Sequence, residues 1–288
     1  VAMTTYNFKS IFSWNIFLYS GFTVVLAAYI WTMLDREVNK YSKFMGTFAF
    51  GWRIILTTGT GSIFGFLVAR EAYSTAILAP LFIVMSLLYG TAVYYLILRV
   101  ISKYHETYIS KDILDNLKKL STMFLFANLY FLALYHMTNM YIAKHLDFEI
   151  FILSSGGVYT LAFWLGQVII GIVIPIILLN SKKLSSNMVL TSSSIMILLG
   201  SFIAMYVIII GGQAYPLTIF PDHMIIESAF YDNVVHSYVP SIYELGLGIG
   251  GVALALIIIL VGIANFKFLP TMISSPKSID AVDNTSNN

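Results

Sequence analysis

Seven apolar runs, each 22 residues or longer, fill almost the whole of this chain, at roughly 13–34, 45–69, 76–101, 120–143, 156–179, 190–211 and 242–268. About 20 apolar residues cross a bilayer as a helix. No water is present there to satisfy a backbone, which leaves helices and closed barrels as spanning structures. A barrel strand needs only about 9–11 residues, so runs of this length select helices. The expected fold is all-α, a polytopic transmembrane helical bundle of about seven spans.

Lys and Arg between the runs set the orientation. The N-terminal arm and the loops after spans two, four and six hold three: Lys9, Arg70 and Lys144. The loops after spans one, three and five, with the tail, hold twelve: Arg36, Lys40, Lys43, Arg99, Lys103, Lys111, Lys118, Lys119, Lys182, Lys183, Lys267 and Lys277. The richer side faces the cytoplasm. An N-out, C-in bundle in the cytoplasmic membrane is therefore expected.

Composition narrows the class further. At 58% hydrophobic and 10% charged residues, the chain is far from a soluble globular balance. Its net charge of +2 gives no reason to expect a nucleic-acid partner; the expected partner at this level is the lipid bilayer. Without cysteine it can form no disulfide and hold no iron–sulfur cluster by its own thiolates. No metal site is expected. The chain begins with Val1 and shows no signal-peptide pattern. Residues 1–275 read as one transmembrane domain, and 276–288, rich in Ser, Asp and Asn, as a disordered cytoplasmic tail.

Two connections are long enough to carry structure. Residues 102–119 surround Ile113, Leu114 and Leu117 with charged groups and read as an amphipathic helix at the cytoplasmic surface. Residues 212–241 carry Pro216, Pro221, Pro240 and several aromatics but no Lys or Arg. That outer loop is expected to lie on protein as a lid or docking surface.

Polar residues at membrane depth are costly and therefore candidate functional groups. Arg53 stands in span two, followed by Thr57, Thr58 and Thr60. It either snorkels to the inner headgroups or faces the bundle interior on a proton path. Span four carries Asn128, His136 and Asn139 on one helix face. A bis-histidine haem needs two intramembrane ligands, and His136 is the one histidine within a span, so no haem is expected in this chain. With the N-terminus outside, Glu71, His136, Asn139, Tyr159, Gln213 and Glu244 all fall in the outer half or at its edge. The chemistry is expected there.

At these residues the chain resembles the polysulfide-reductase membrane-subunit family, the NrfD/PsrC-like quinone-interacting proteins. The resemblance rests on Gly211-Gly212-Gln213-Ala214-Tyr215-Pro216-Leu217, on Ala69-Arg70-Glu71-Ala72-Tyr73 and on Ala79-Pro80-Leu81-Phe82. Asn7 to Trp14, and Tyr159 with Phe163-Trp164 and Pro175, add to it, and it covers roughly residues 7–270. It implies an integral membrane subunit of a respiratory oxidoreductase. Such a subunit binds quinone (menaquinone or a related type) beside an iron–sulfur electron-transfer partner and a catalytic oxidoreductase subunit. Independently of the resemblance, the candidate quinone-binding groups by depth and chemistry are His136, Asn139, Tyr159, Gln213, Glu244 and Glu71, with Arg53 the candidate for a proton path. Their side chains suit quinone oxygens, which need hydrogen-bond partners that also handle protons.

Two departures stand out. Family members usually have eight to ten helices, so N-terminal helices are expected to be missing, and Met205 stands where many relatives have an arginine before the GGQ element. Two other functions fit a seven-span bundle. A retinal protein needs a buried lysine in its last span, and Lys267 lies only in the final turn. A secondary transporter would place its substrate at a broken helix, and Gly59, Gly61 and Gly65 interrupt span two, but no internal repeat is visible and the glycines are read first as positions of close helix packing.

Overall fold

The structure, a computed structural model, describes residues 7–104, 108–181, 186–216, 235, 238–265 and 273–274. Four long helices come first: α1 (Ile11–Leu34), α2 (Ser42–Gly65), α3 (Leu78–Tyr104) and α4 (Lys111–Tyr141), each packed on the next. A short helix α5 (Leu146–Ile150) runs into a π-helical turn at Phe151–Ser155. Gly157, at φ 57°, then turns the chain into a single rod made of α6 (Val158–Leu161), a π-helical stretch Ala162–Val173 and α7 (Ile174–Asn180). α8 (Ser186–Tyr206) returns, widens into a π segment at Val207–Gly211 and ends in α9 (Gly212–Ala214). α10 (Ile242–Asn265) is exposed along most of its length. The strands described are β1 (Tyr108–Ile109) and β2 (Ile273–Ser274), which pair antiparallel.

This is a polytopic helical membrane protein. Six of its described helices combine the length and the apolarity needed to cross a bilayer. α2 has the length, 24 residues, but Arg53 and its Thr and Gly content dilute its apolarity. The break in α2 that a transporter would need is absent, because it is one continuous helix through Gly59 and Gly61. A Cβ on Gly61 would lie 2.8 Å from Leu78 O and from Ala79 Cα, and one on Gly59 would lie 2.9 Å from Leu18 Cδ1. These glycines let α1 and α3 approach, as small residues do in membrane bundles, and they remove the motive for a transporter site at a broken helix.

The expected surface helix over 102–119 is likewise not a separate element. α3 extends to Tyr104 and α4 already starts at Lys111, where the Ser110 hydroxyl accepts from Ile113 N. At 1.5 Å per residue the 31 residues of α4 outrun the roughly 30 Å hydrocarbon core. Its charged first turns are the part left over. Lys182, Lys267, the tail and most of the aromatic 212–241 loop lie outside the described residues.

α3 is the central helix, packed against α2, α4 and α8. Its buried positions, Leu78, Leu81, Met85, Leu88, Ala92, Tyr95 and Leu98, recur every three or four residues. α4 presents a matching stripe: Leu117, Ser121, Leu125, Asn128, Leu132, Tyr135 and Asn139. Two of its members are asparagines, so the stripe that packs α4 also carries polar groups into the bundle. Between the 162–173 stretch and α8 the approach is closest at Gly171 and Gly200, where a Cβ on Gly171 would lie 2.9 Å from Gly200 Cα.

Candidate functional site

Three connections meet at one end of the bundle: residues 66–77 between α2 and α3, 142–157 after α4, and 212–216 after α8. The first is folded down onto the helices rather than away from them. Tyr73, fully buried, donates its hydroxyl to Ile208 O (3.0 Å) and Ile209 O (3.2 Å) in the π segment. Tyr135 in α4 donates to Ala72 O at 2.6 Å, and Arg70 Nη1 donates to Gln213 O at 3.0 Å.

Gly212, the second glycine before Gln213, is the one this closure needs. A Cβ on Gly212 would lie 2.8 Å from the Tyr73 hydroxyl and 3.0 Å from Ala72 Cβ. One on Gly211 would lie 3.4 Å from the Tyr159 ring. The two sequence elements around Arg70 and Gln213 are thus in contact, and the smallness of the second accommodates the bulk of the first.

Beneath this cover is a buried polar cluster. Glu149, at 0% exposure, holds His136 Nδ1 at 2.8 Å with one carboxylate oxygen and accepts from Asn139 Nδ2 at 2.8 Å with the other. Because Asn139 spends its amide on Glu149, its Oδ1 faces His145 Nδ1 (3.1 Å) as acceptor. That assigns His145 the tautomer protonated on Nδ1. Burial, reinforced by Lys144, pushes the His145 pKa below its ordinary value, against an opposing pull from Glu149. The histidine is therefore neutral at pH 7. At the rim, burial and the nearby Asp147 push Glu71 above the usual carboxylate range, while Lys144 opposes them.

The His136 ring lies between Phe163 (4.7 Å between centroids, edge to face) and Tyr135 (5.0 Å). It lines a cavity of about 20 Å³ together with Phe148, Ile152, Gln167 and Val207, enough for one water-sized molecule. Three π-helical segments contribute to this lining, through Ile152, Phe163 with Gln167, and Val207 with Ile208. π turns are rare and gather at functional sites. Two groups in it have unused capacity. Nδ1 of His136 is taken by Glu149, which leaves Nε2 without a protein partner among the described residues. Gln167 Oε1, in a residue 4% exposed, has no hydrogen-bond partner among them either.

The expected site residues therefore separate. His136 and Asn139 are joined directly through Glu149. Tyr159 is one aromatic layer away, stacked on Tyr206 (5.9 Å) and tilted against Phe151 (5.7 Å). Gln213 contributes its backbone carbonyl to Arg70 while its side chain is exposed. Glu244 caps the start of α10, accepting from Ser241 N at 2.7 Å and from the Ser241 hydroxyl at 2.9 Å. Arg53 is at neither end of the bundle. α2 starts at Ser42 and ends at Gly65, so Arg53 falls midway along it rather than near the cytoplasmic end.

Glu149 and Tyr135 are absent from the expected set. Residues 146–153 carry Leu146, Phe148, Ile150, Phe151, Ile152 and Leu153. So apolar a connection packs on protein rather than standing in water, and acids within it are candidates for burial.

Comparison with known proteins follows the same lines. The family described as Polysulphide reductase, NrfD, matches residues 1–216. The Hdr-like menaquinol oxidoreductase integral membrane subunit of Archaeoglobus fulgidus is 31% identical over 277 residues, 93% of this chain and 68% of that protein. A selenate reductase subunit from Mesobacillus selenatarsenatis is 22% identical over 225 residues, 77% of this chain and 51% of that protein. The matched stretch includes both elements that close over His136, Arg70 to Tyr73 and Gly211 to Tyr215, and the chain belongs to the NrfD polysulphide reductase family.

Proposed function

We propose that this chain is the quinone- or quinol-binding membrane subunit of a respiratory oxidoreductase complex and exchanges electrons with an iron–sulfur partner subunit. The observation that carries the reading is the buried His136–Glu149 pair, oriented by Asn139 and bordering a cavity in which His136 Nε2 and Gln167 Oε1 have no partner among the described residues. Oxidising a quinol removes two protons and two electrons. His136 Nε2 is set to accept a hydroxyl proton, and the Glu149 carboxylate behind Nδ1 stabilises the imidazolium that forms. Gln167 Oε1 accepts from a hydroxyl and so orients the ring. In the reverse direction His136 returns the proton.

The electrons go to a neighbour, because a chain without cysteine holds no thiolate-bound cluster. The menaquinol in the archaeal relative's name makes menaquinone or a related quinone the first candidate, and the names of both relatives make a multi-subunit complex the expected setting. By the charge count this end of the bundle is external, so cysteines introduced at Lys144 and Lys111 should label from opposite sides of the membrane. The ring reaches His136 only if the cavity widens, and the three π segments that line it are where the backbone has slack.

The test is quinone-linked turnover of the complex in its membrane. His136→Leu and Glu149→Gln should each lower it by about tenfold or more, roughly 1.4 kcal/mol of transition-state stabilisation, with the complex still assembled. An assembled Glu149→Gln complex turning over at the parent rate would remove the pair from the chemistry and the reading with it.

A further inference from the structure

Halfway along the bundle, between α1, α2, α3 and α8, lies a chamber of about 410 Å³. It is some twenty times the size of the cavity at His136 and falls in the range of small-molecule sites, about 300–1,000 Å³. Arg53 stands on one wall, Ser86 and Tyr89 on the α3 floor, and Leu56, Phe82 and Phe202 supply apolar surface. Phe202, in its lining, is 78% exposed, so the chamber opens sideways from the described helices.

The hydrogen-bonding inventory leaves one strong donor group over. Thr57 and Thr60 donate their hydroxyls to Arg53 O (2.8 Å) and Leu56 O (3.0 Å) within α2, and Thr60 also pairs with the Tyr19 hydroxyl of α1 at 3.3 Å. Arg53 has only the Phe22 ring, 5.6 Å from its guanidinium carbon, and no hydrogen bond or ion pair among the described residues. Nor do the Tyr89 and Ser86 side chains hydrogen-bond to any described residue. A guanidinium has five N–H donors and no acceptor, so the chamber asks for an occupant with acceptor oxygens. It sits at mid-depth, where a phospholipid could reach it only by dragging a charged headgroup into hydrocarbon. A neutral ring with two carbonyl oxygens and an apolar tail reaches it without that penalty.

We propose that this chamber is a second quinone site, with Arg53, Tyr89 and Ser86 donating to the carbonyl oxygens of the oxidised ring. The inference rests on the quinone reading above and adds a division of labour. The His136 cavity offers a proton-accepting nitrogen at His136 beside the Gln167 amide, which suits a quinol that must lose protons. The chamber adds the Arg53 guanidinium, which can only donate, and that suits the carbonyl oxygens of a quinone. The two are linked: Tyr89 and Ser201 line the chamber and also a small polar cavity shared with Asn128 and Gln167, and Gln167 lines the cavity at His136.

A photoreactive azidonaphthoquinone with a short isoprenoid tail, applied in its oxidised form to membranes holding the whole complex, tests this by mapping the labelled peptides. The expected result is label within 53–60, 82–89 or 198–205, reduced about tenfold by Arg53→Leu, roughly 1.4 kcal/mol of affinity, and unchanged by His136→Leu. Ser86→Phe, which fills the floor and leaves the arginine in place, should reduce it equally. Label at the His136 end alone, or chamber label that survives both chamber variants, overturns the second site. So does an unlabelled chamber in which Arg53→Gln still blocks proton uptake, the result if Arg53 serves only a water-filled proton path. Label at neither place overturns the quinone reading as well, whereas label at the chamber alone overturns only the assignment to His136.

Discussion

The His136 end and the Arg53 chamber are both polar places in an apolar bundle, and they satisfy their polar groups in opposite ways. At the His136 end, distant segments supply the partners: Tyr73 reaches the carbonyls of 208 and 209, Tyr135 reaches Ala72, and Glu149 holds both His136 and Asn139. In the chamber, the threonines bond back to their own helix, with one link from Thr60 to Tyr19 of α1, and Arg53 makes a single cation–π contact among the described residues. A paired network in low dielectric is rigid and costly to breach. An unpaired charge beside open space is a group that awaits something else. The first region is built to hold a geometry, and the second to receive an occupant.

Removing one charge from each region should separate them most widely. Glu149→Leu leaves His136 Nδ1 and the Asn139 amide without their acceptors in a buried site, a loss of about 2–3 kcal/mol. That exceeds the roughly 0.6 kcal/mol average for membrane hydrogen bonds because two donors are orphaned at once. Arg53→Leu orphans nothing and should leave stability at or above the parent. Thermal unfolding of the purified protein in detergent compares the two. If Glu149→Leu melts with the parent, the network is not what holds that end together.

A smaller contrast concerns shape. Gly212→Ala places a methyl 2.8 Å from the Tyr73 hydroxyl, which must move and so loosen its bonds to Ile208 O and Ile209 O. Overpacking of this kind costs about 1–3 kcal/mol. Gly90→Ala, in α3, meets nothing within 4 Å and should gain up to about 1 kcal/mol from helix propensity. Equal melting temperatures for the two variants would mean that the loop does not need its close seat on Gly212.

How much of this is legible in the sequence follows from where the partners lie. His136 and Asn139 stand out together because an offset of three puts them on one face of one helix. Arg53 stands out because it is a charge inside an apolar run. Glu149 is hidden because its partners are one helix back and the stretch carrying it reads as a connection. Apolar runs mark the thickness of the hydrocarbon rather than the ends of helices, so the charged start of α4 reads as a separate surface helix. Gly59 and Gly61 read as packing positions or as helix breaks, and the choice is decided by Leu18, Leu78 and Ala79, residues on other helices. The π segments leave no trace in composition, since they depend on how the 66–77 loop and the neighbouring helices seat against them.

The smallest expected effect is a pH dependence confined to the His136 end. Burial, with Lys144 beside it, lowers the pKa of His145 in the folded protein, while in the unfolded chain it titrates near the ordinary value of about 6.5. Below that value the unfolded state binds a proton that the folded state refuses, so stability falls as pH drops through about 6.5 and levels off below the folded value. Above it the contribution is fully present. His145→Gln can still donate to Asn139 Oδ1 but cannot titrate. Between about pH 7.5 and 5.5 the parent should therefore lose more melting temperature than His145→Gln, and Arg53→Leu should track the parent because no described residue lining the chamber titrates in that range. Parallel curves for parent and His145→Gln would show that His145 keeps its proton affinity on folding, and the buried network would then be open to water at that corner.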